Sequence, residues 1–556
     1  MFPHRFVTTL ASVILMKTPS GRHRRAWALA AASVAHWACA PSPGTGAAAP
    51  APFELIIAGG TVIDGSGGPR YRADVAIAGD RIALVSRQAI VPARARRTID
   101  ATGLIVAPGF IDLHAHLEPL LGMPGAESHV RQGVTTALGG PDGGGPWPFA
   151  AYLDSAQSLG MGMNVGFLVG HNTIRRGVMQ LADRDPTPAE LDQMRTMVAQ
   201  GMHEGAFGLS TGLRYLPGTF SKTDEVVALS RVAADSGGIY TSHLREEGLG
   251  VIEGVAEAIE IGRRTGIVVV LTHHKVIGKP MWGQSVRTLA MVDSARTAGV
   301  DVRIDQYPYT ATSTGIGVLV PTWALAGGDS AFQRRLKDPA LRDSISRGIV
   351  ELLLTDRGGG DLARVQFAGV SWQRSLEGRT LADWATERGL PPTPQTGAQL
   401  VIEAVQRGGA SAIYHVLDEP DVERIMRHPQ TMIASDGRLS RPGNGHPHPR
   451  AYGTFPRVLA RYVRERGILT LESAIHKMTG MPAATLRLTD RGAVRAGARA
   501  DITIFHADSV ADLATFQEPH QYPAGIPYVI VNGTVAVDGG RFTGARAGRV
   551  LRRGRQ

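Results

Sequence analysis

The chain is 556 residues long, with 43% hydrophobic and 19% charged residues. This composition predicts a globular protein with a sizeable core, long enough for one large α/β domain and a smaller one. The net charge of +10 lies at the two ends, because residues 1–40 carry five basic side chains and residues 541–556 carry six, with no acidic residue in either segment. The residues between are close to neutral, so no basic face and no nucleic-acid partner are predicted.

Residues 1–52 are predicted to be an export leader followed by a linker. A basic segment at residues 22–25 precedes a short Ala-rich apolar segment at residues 26–38, and Ala/Pro-rich sequence follows, an order typical of a secretory signal. The apolar segment is too short to predict a stable transmembrane span. The only cysteine, Cys39, is a candidate lipid anchor. We therefore expect an exported, periplasmic protein.

The two ends of the body have the sequence texture of β-structure. Residues 53–105 alternate apolar and polar side chains between Gly-Gly and Gly-Asp pairs, and residues 491–556 contain the hairpin dipeptides Asn532-Gly and Asp538-Gly. These segments are predicted to form the N-terminal and C-terminal halves of one small antiparallel β-sandwich domain. The basic tail that ends the chain is expected to be solvated and frayed.

Residues 106–490 alternate short, very apolar segments with amphipathic helical ones. Candidate strands lie at residues 164–169, 206–210, 238–243, 267–273, 300–307 and 431–436. Repeated β-α units of this length predict a parallel (β/α)8 barrel. The stretch at residues 309–428 is too long for one loop and is predicted to contain an inserted lid region as well as barrel elements.

Polar residues that can bind a metal recur where these strands end. His114 and His116 end an apolar segment, and side chains two apart on a strand point the same way. Because a barrel places its site at the carboxyl ends of its strands, we expect the later strand-end residues to join the pair. Those residues are His243, His273, Tyr307 and Asp436. Such a group suits one or two zinc ions that activate water for hydrolysis.

From residue 54 onwards the sequence resembles the amidohydrolase superfamily, and within it the D-aminoacylase (N-acyl-D-amino-acid deacylase) family. The segments that carry the resemblance are Pro108-Gly-Phe-Ile-Asp-Leu-His-Ala-His, Gly205-Ala-Phe-Gly-Leu-Ser-Thr-Gly-Leu-Arg-Tyr-Leu-Pro-Gly, Tyr240-Thr-Ser-His-Leu-Arg-Glu-Glu, Thr272-His-His-Lys, Asp305-Gln-Tyr-Pro-Tyr-Thr, Ser435-Asp-Gly and His448-Pro-Arg-Ala-Tyr-Gly-Thr-Phe-Pro-Arg. The closing Gly-Ala-Arg-Ala-Asp-Ile-Thr-Ile-Phe and Val-Asn-Gly also match.

The resemblance implies a role for each matching position. One metal site would consist of His114, His116 and Asp436, and His243 and His273 would hold the second, usually tighter, site. Asp436 would also act as the general base and then the general acid. The positions implied to bind substrate are Lys275, Tyr307, Ser313 and Arg450. The planar guanidinium of Arg450 suits both oxygens of an α-carboxylate.

The chain departs from this family after Gly133-Val-Thr-Thr. D-aminoacylases usually have a metal-binding cysteine shortly after this segment, whereas this chain has Gly139-Gly-Pro-Asp142-Gly. We predict that the Asp142 carboxylate takes the cysteine's place and bridges two metal ions. A harder ligand would hold zinc less tightly and admit other divalent metals. The alternative is that Asp142 is a plain turn residue.

These features predict metal-dependent hydrolysis of N-acyl-D-amino acids to a carboxylate and a D-amino acid, by metal-activated hydroxide with Asp436 moving the proton. The expected partner is a small N-acyl amino acid or related amide. One alternative keeps the chemistry but changes the substrate to a dipeptide, a cyclic amide or another N-acyl compound. A more remote alternative is a periplasmic binding protein that has lost catalysis.

Overall fold

The computed structural model describes residues 52–554. The predicted leader, including Cys39 and the proposed lipid anchor, lies outside the described residues. Within the described part, every helix is too short or too polar to cross a membrane.

A parallel barrel occupies the centre of the fold, as predicted. Its strands occupy eight positions, and the third strand is split in two: Phe110–Asp112, Val134–Gly139, Asn164–Phe167 with Val169–Gly170, Gly208–Gly212, Ile239–His243, Val268–Leu271, Val302–Gln306 and Thr431–Ile433. Every paired neighbour in this series runs parallel. Parallel strands end together, so the residues that follow them meet at one end of the barrel.

Hydrogen bonds made by the residues just after the eighth strand close the barrel against the end of the first strand. The segment Gly437–Arg438 pairs in parallel with Ala115–His116, and the Asp436 N–H donates to the His114 carbonyl at 2.8 Å. The buried Asp112 carboxylate accepts from the backbone N–H of Ser435 at 2.9 Å. These bonds hold the two ends of the barrel sequence in register at the predicted site.

Helices surround the barrel and bury their apolar faces on it. They are Glu127–Val130, Phe149–Leu159, His171–Met179, Pro188–His203, Thr223–Asp235, Val251–Thr265, Ser285–Thr297, Glu419–Arg427, Arg450–Arg457, which continues as the π-helix Val458–Glu465, Leu471–Met478 and Gly480–Leu486. In Val251–Thr265 the residues Val255, Ala258 and Ile261 are buried, at the spacing of one helical face. That face packs within the same hydrophobic core as the strand residues Val269 and Leu271.

Both ends of the described chain contribute to a single nine-stranded sheet beside the barrel. Its strands are Phe53–Val62, Tyr71–Ala78, Arg81–Ser86, Ala95–Asp100, Ile105–Pro108, Ile502–Phe505, Tyr528–Val531, Thr534–Asp538 and Arg541–Phe542. The halves join where Ile105–Pro108 pairs antiparallel with Ile502–Phe505. The prediction of a purely antiparallel sheet is wrong, because Phe53–Val62 runs parallel to both Ala95–Asp100 and Ile105–Pro108.

An insertion with its own core separates the seventh and eighth barrel strands. Its antiparallel sheet contains Thr312–Gly315, Ser411–Tyr414 and Val365–Gly369. Its helices are Thr322–Leu325, Asp329–Lys337, Pro339–Thr355, Leu381–Glu387 and Pro394–Gln406. A separate hydrophobic cluster around the fully buried Trp384 stabilises this unit.

The basic tail is bound to the body, so the expectation of a solvated, frayed end is wrong. The backbone of Gly548 donates to Met161 at 2.7 Å, and that of Leu551 donates to Val165 at 2.7 Å. Arg549 forms an ion pair with Asp80 at 2.7 Å. Backbone hydrogen bonds, which a count of charges does not reveal, hold the tail.

Candidate metal and substrate site

The predicted metal-binding residues converge at the carboxyl end of the barrel. His114 and His116 follow the first strand, Asp142 the second, His273 the sixth and Asp436 the eighth, while His243 ends the fifth. Three of them have backbone φ angles in the left-handed region: 53° at Asp142, 37° at His273 and 49° at Asp436. Such conformations cost on the order of 1–3 kcal/mol each and concentrate at functional sites.

One set of possible ligands consists of His114, His116, Asp142 and Asp436. The Nε2 atom of His116 lies 3.2 Å from Oδ1 of Asp436, and Nε2 of His114 lies 3.6 Å from the same oxygen. The other His116 nitrogen, Nδ1, is 3.0 Å from a carboxylate oxygen of Glu118. This contact fixes the ring so that Nε2 faces the cluster.

The second set consists of Asp142, His243 and His273. Nε2 of His273 lies 3.3 Å from Oδ1 of Asp142, and Nδ1 of His243 lies 3.9 Å from Oδ2. Asp142 is thus common to both sets, with Oδ1 also 3.5 Å from His114 and Oδ2 3.6 Å from His116. A carboxylate in this position could reach ions held by either set, so the bridging role of Asp142 stays a prediction.

The donor set fits a transition metal. Both ring nitrogens of the fully buried His114 and Oδ1 of Asp142 lack a hydrogen-bond partner among the described residues. Buried polar atoms are normally paired, and two of these unpaired atoms, Nε2 of His114 and Oδ1 of Asp142, lie 3.5 Å apart within the cluster, as ligands of one ion would. Imidazole nitrogens and carboxylate oxygens are ligands that zinc accepts.

The charges within the cluster are strongly perturbed. Burial raises the pKa of the Asp436 carboxyl, but the Arg450 guanidinium and nearby histidines outweigh it and hold that pKa well below its usual range. Burial lowers the pKa of His243 to about 3. Burial also lowers the pKa of His273, but Asp142 and Glu247 overcome this effect and raise the value to about 9. A metal bound to His273 would therefore displace a proton.

A cavity of about 1190 Å³ opens above the cluster, between the barrel and the insertion. The four predicted substrate-binding residues, Lys275, Tyr307, Ser313 and Arg450, all line it. The Tyr307 hydroxyl is buried and has no partner among the described residues. The Arg450 guanidinium lies 4.8 Å from the Tyr307 ring centre and 2.8 Å from Oδ2 of Asp436.

Lys275 and Ser313, the other two predicted substrate-binding residues, already have partners within the protein. The Lys275 ammonium donates to the His273 carbonyl at 2.7 Å and pairs with Glu247. The Ser313 carbonyl accepts from Arg450 at 3.4 Å. Lys275 therefore contacts His273, one of the predicted metal ligands, and Ser313 connects the insertion to Arg450.

Three buried carboxylates behind the site were not singled out from the sequence. Glu247 lies beside His243 and His273, Asp305 accepts from the His273 N–H at 2.6 Å, and Asp112 accepts from Ser435. Burial raises the pKa of Asp112 to about 6. Asp112 interrupts an apolar strand, and this was the available signal, because a buried carboxylate requires partners.

A parallel barrel with two metal-ligand sets that share one carboxylate, below a deep cavity, defines the class of metal-dependent hydrolases. The sequence profile of the amidohydrolase family matches residues 97–266 and 291–537. The N-acyl-D-glutamate deacylase of Alcaligenes xylosoxydans xylosoxydans is 39% identical over 524 residues, covering 90% of this chain and 97% of the relative.

Two solved structures agree with this result. The crystal structure of D-aminoacylase is 37% identical, with a TM-score of 0.77 over 90% of this chain and 100% of the other. The N-acyl-D-glutamate deacylase of Bordetella bronchiseptica, solved with zinc and a phosphonate inhibitor, is 35% identical, with a TM-score of 0.76 over 90% and 99% of the two chains. The chain belongs to the amidohydrolase family, within the group that contains D-aminoacylase and N-acyl-D-glutamate deacylase.

Proposed function

We propose that this chain is a zinc-dependent deacylase that hydrolyses the amide bond of N-acyl-D-amino acids. The observation that carries the proposal is the pair of ligand sets sharing Asp142 at the base of a cavity that also contains Arg450. The activities named for the relatives, together with the zinc in one of them, favour this substrate class and this metal.

His114, His116 and Asp436 would hold one ion, His243 and His273 the other, with Asp142 between them. When bound, zinc supplies a Lewis acid that polarises the amide carbonyl and lowers the pKa of water. The ionised Asp436 carboxylate belongs to the first ligand set, where it can take a proton from the attacking water. The same carboxyl can then return that proton to the leaving nitrogen.

Arg450 and Tyr307 would orient the substrate. A guanidinium binds a carboxylate through two parallel N–H bonds, which suits the α-carboxylate of an N-acyl amino acid. Burial raises the pKa of Tyr307 well above its ordinary value, so its hydroxyl keeps its proton and can donate to a substrate oxygen.

Release of free amine from paired N-acetyl-D- and N-acetyl-L-amino acids tests this proposal. Protein that begins at residue 41 is assayed with zinc and again after chelation. We expect zinc-dependent release from the D series. In the Asp436→Asn variant, kcat should fall by about 10²–10⁴-fold, while circular dichroism stays unchanged. No release from either series by zinc-loaded protein would reject this substrate class and favour dipeptides or cyclic amides.

Export to the periplasm is part of the same proposal. Its support is the basic and Ala-rich order of residues 22–38. Cell fractionation followed by mass measurement of the recovered protein tests it. A lipid-modified N-terminus at Cys39 would identify an anchored form, and a full-length cytoplasmic product would reject export.

A further inference from the structure

Glu247 is a buried carboxylate between the fifth barrel strand and the helix Val251–Thr265. It is 4% exposed and four residues beyond His243. Its side chain lies on the side of His243 and His273 opposite to Asp142. The proposed chemistry assigns it no role.

The two Glu247 oxygens face the remote nitrogens of both histidines. Oε1 lies 3.2 Å from Nδ1 of His273, and Oε2 lies 3.6 Å from Nε2 of His243. This Oε2 atom and this Nε2 atom are both buried and have no hydrogen-bond partner among the described residues. A movement of about half an ångström would bring them to hydrogen-bond distance.

The nitrogens that face Asp142, and that would hold a metal, are the opposite ones. Nδ1 of His243 and Nε2 of His273 lie 2.8 Å apart, next to Asp142. A neutral imidazole carries one N–H, so a ring that offers one nitrogen to a metal must carry its proton on the other. That proton needs an acceptor, and Glu247 is placed to accept from both rings.

Lys275 further restricts which nitrogen of His273 can carry the ring proton. Its ammonium also contacts Nδ1 of His273, but an ammonium can only donate. If Nδ1 accepted from Lys275, the ring proton would lie on Nε2 and block the metal. Only a His273 N–H that donates to Glu247 leaves Nε2 free.

We infer that Glu247 is a positioning residue that fixes the tautomers of His243 and His273 and so creates the second metal site. The inference rests on the proposed metal centre but not on the substrate. Such indirect ligand partners typically contribute a factor of about 10–100 in metal affinity.

The test measures metal binding without turnover. Metal-free wild-type and Glu247→Gln proteins are titrated with zinc against a chromophoric chelator, and the visible spectrum of each is recorded with Co²⁺. We expect Glu247→Gln to weaken the His243/His273 site by about 10–100-fold and to change the Co²⁺ spectrum. Glu247→Asp, which keeps the charge, should recover part of the loss.

The matched control is Glu246→Gln. Glu246 is the adjacent glutamate, has a side chain 43% exposed and pairs with Arg214 at 2.9 Å, so its substitution should leave both metal sites unchanged. The inference would be overturned if Glu247→Gln kept the wild-type zinc affinity and Co²⁺ spectrum. It would also be overturned if metal-free Glu247→Gln were less stable than the wild type but bound zinc equally well, because Glu247 would then be a purely structural residue. If Glu247→Gln does not fold, Glu247→Ser, which also removes the carboxylate, takes its place: wild-type zinc affinity in Glu247→Ser overturns the inference and weaker affinity supports it. A zinc-loaded wild type without deacylase activity would reject the proposed substrate alone.

Discussion

At the scale of single residues, Asp142 has the largest consequence for the metal centre. Its two carboxylate oxygens lie 3.3–3.9 Å from the nearest nitrogens of four histidines. Where a thiolate offers one soft sulfur atom, this carboxylate offers two hard oxygens, and each oxygen faces one histidine of each ligand set. We therefore expect both ions to bind more weakly than they would to a cysteine, with a broader choice of metal.

Substitution of Asp142 tests this expectation. Asp142→Asn removes the charge but tolerates the left-handed backbone, and it should weaken zinc binding by about tenfold or more. Asp142→Cys supplies a thiolate and should tighten it. Zinc content per chain after dialysis against graded chelator measures both effects, with the exposed Asp185→Asn as control. Unchanged zinc retention in Asp142→Asn would show that the carboxylate is not a ligand.

Arg450 contacts Asp436 as well as the cavity, so it can act on substrate or on the base. Arg450→Lys replaces the planar fork with a point charge and should lower kcat/KM for an N-acyl-D-amino acid by about 10–100-fold, corresponding to about 1.5–3 kcal/mol. The comparison substrate is the matching N-acyl amine, which has no carboxylate. An equal loss on both substrates would assign Arg450 to Asp436 and not to the substrate.

At the scale of elements, the sequence was informative wherever a local pattern decides the structure. The strand-end positions of His243 and His273 followed from apolar segments of β length, and the hairpin at Asn532 followed from its Asn-Gly pair. The parallel pairing of Phe53–Val62 with Ala95–Asp100 was missed because such pairing joins distant segments and leaves no local pattern. Glu247 was missed because its partners His273 and Lys275 lie in the segment after the sixth barrel strand, distant from it along the chain.

A buried lysine connects a helix to the barrel and makes stability depend on pH. Lys477, in the helix Leu471–Met478, donates to the carbonyls of His428 and Thr431 at 2.7 and 2.8 Å, beside the start of the eighth strand. Burial lowers the pKa of Lys477 from 10.5 to about 8. The folded protein therefore loses this proton before the unfolded chain does.

The free energy of unfolding should rise with pH, because the unfolded chain holds the Lys477 proton to a higher pH than the folded protein does. Below pH 8 the charged Lys477 destabilises the fold, and this cost disappears as the pH rises from about 8 to 10.5. Relative to Lys477→Met, the wild-type free energy of unfolding should rise by about 3 kcal/mol over that interval. Urea unfolding of both proteins between pH 7 and pH 10.5 measures the difference. Parallel pH curves would contradict the burial of this charge.

At the scale of the whole molecule, a buried polar network connects the C-terminal part of the chain to the barrel. Asn532 donates to Asn164 at 2.7 Å and to the Ala547 carbonyl at 2.8 Å, and its backbone N–H donates to Asp501 at 2.7 Å. This network joins the nine-stranded sheet, the third barrel strand and the tail. No composition or periodicity could predict it, because the three contacts span 15, 31 and 368 residues along the chain.

The tail should therefore stabilise the molecule without affecting catalysis. It lies at the amino ends of the third and fourth barrel strands, where Val165 donates to Arg549 at 2.9 Å and Arg553 donates to Gly205 at 3.0 Å. Truncation after Gly544 removes these two backbone bonds and those of Gly548 and Leu551. At about 0.5–1.5 kcal/mol each, their loss should lower the free energy of unfolding by about 2–6 kcal/mol.

Urea unfolding of the truncated and full-length proteins measures that loss, and the zinc-loaded kcat should stay unchanged because the site lies at the opposite end of the barrel. The control keeps the full chain and carries Arg549→Gln with Arg552→Gln, which removes the ion pairs with Asp80 and Asp154 and the Arg552 hydrogen bond to the Glu204 carbonyl but leaves the backbone hydrogen bonds of the tail in place. Those pairs are partly exposed, so their loss should cost about 1 kcal/mol or less each. If the double variant were as unstable as the truncation, side-chain charge and not the backbone would hold the tail. An unchanged urea midpoint in the truncated protein would mean that the tail contributes nothing to the fold.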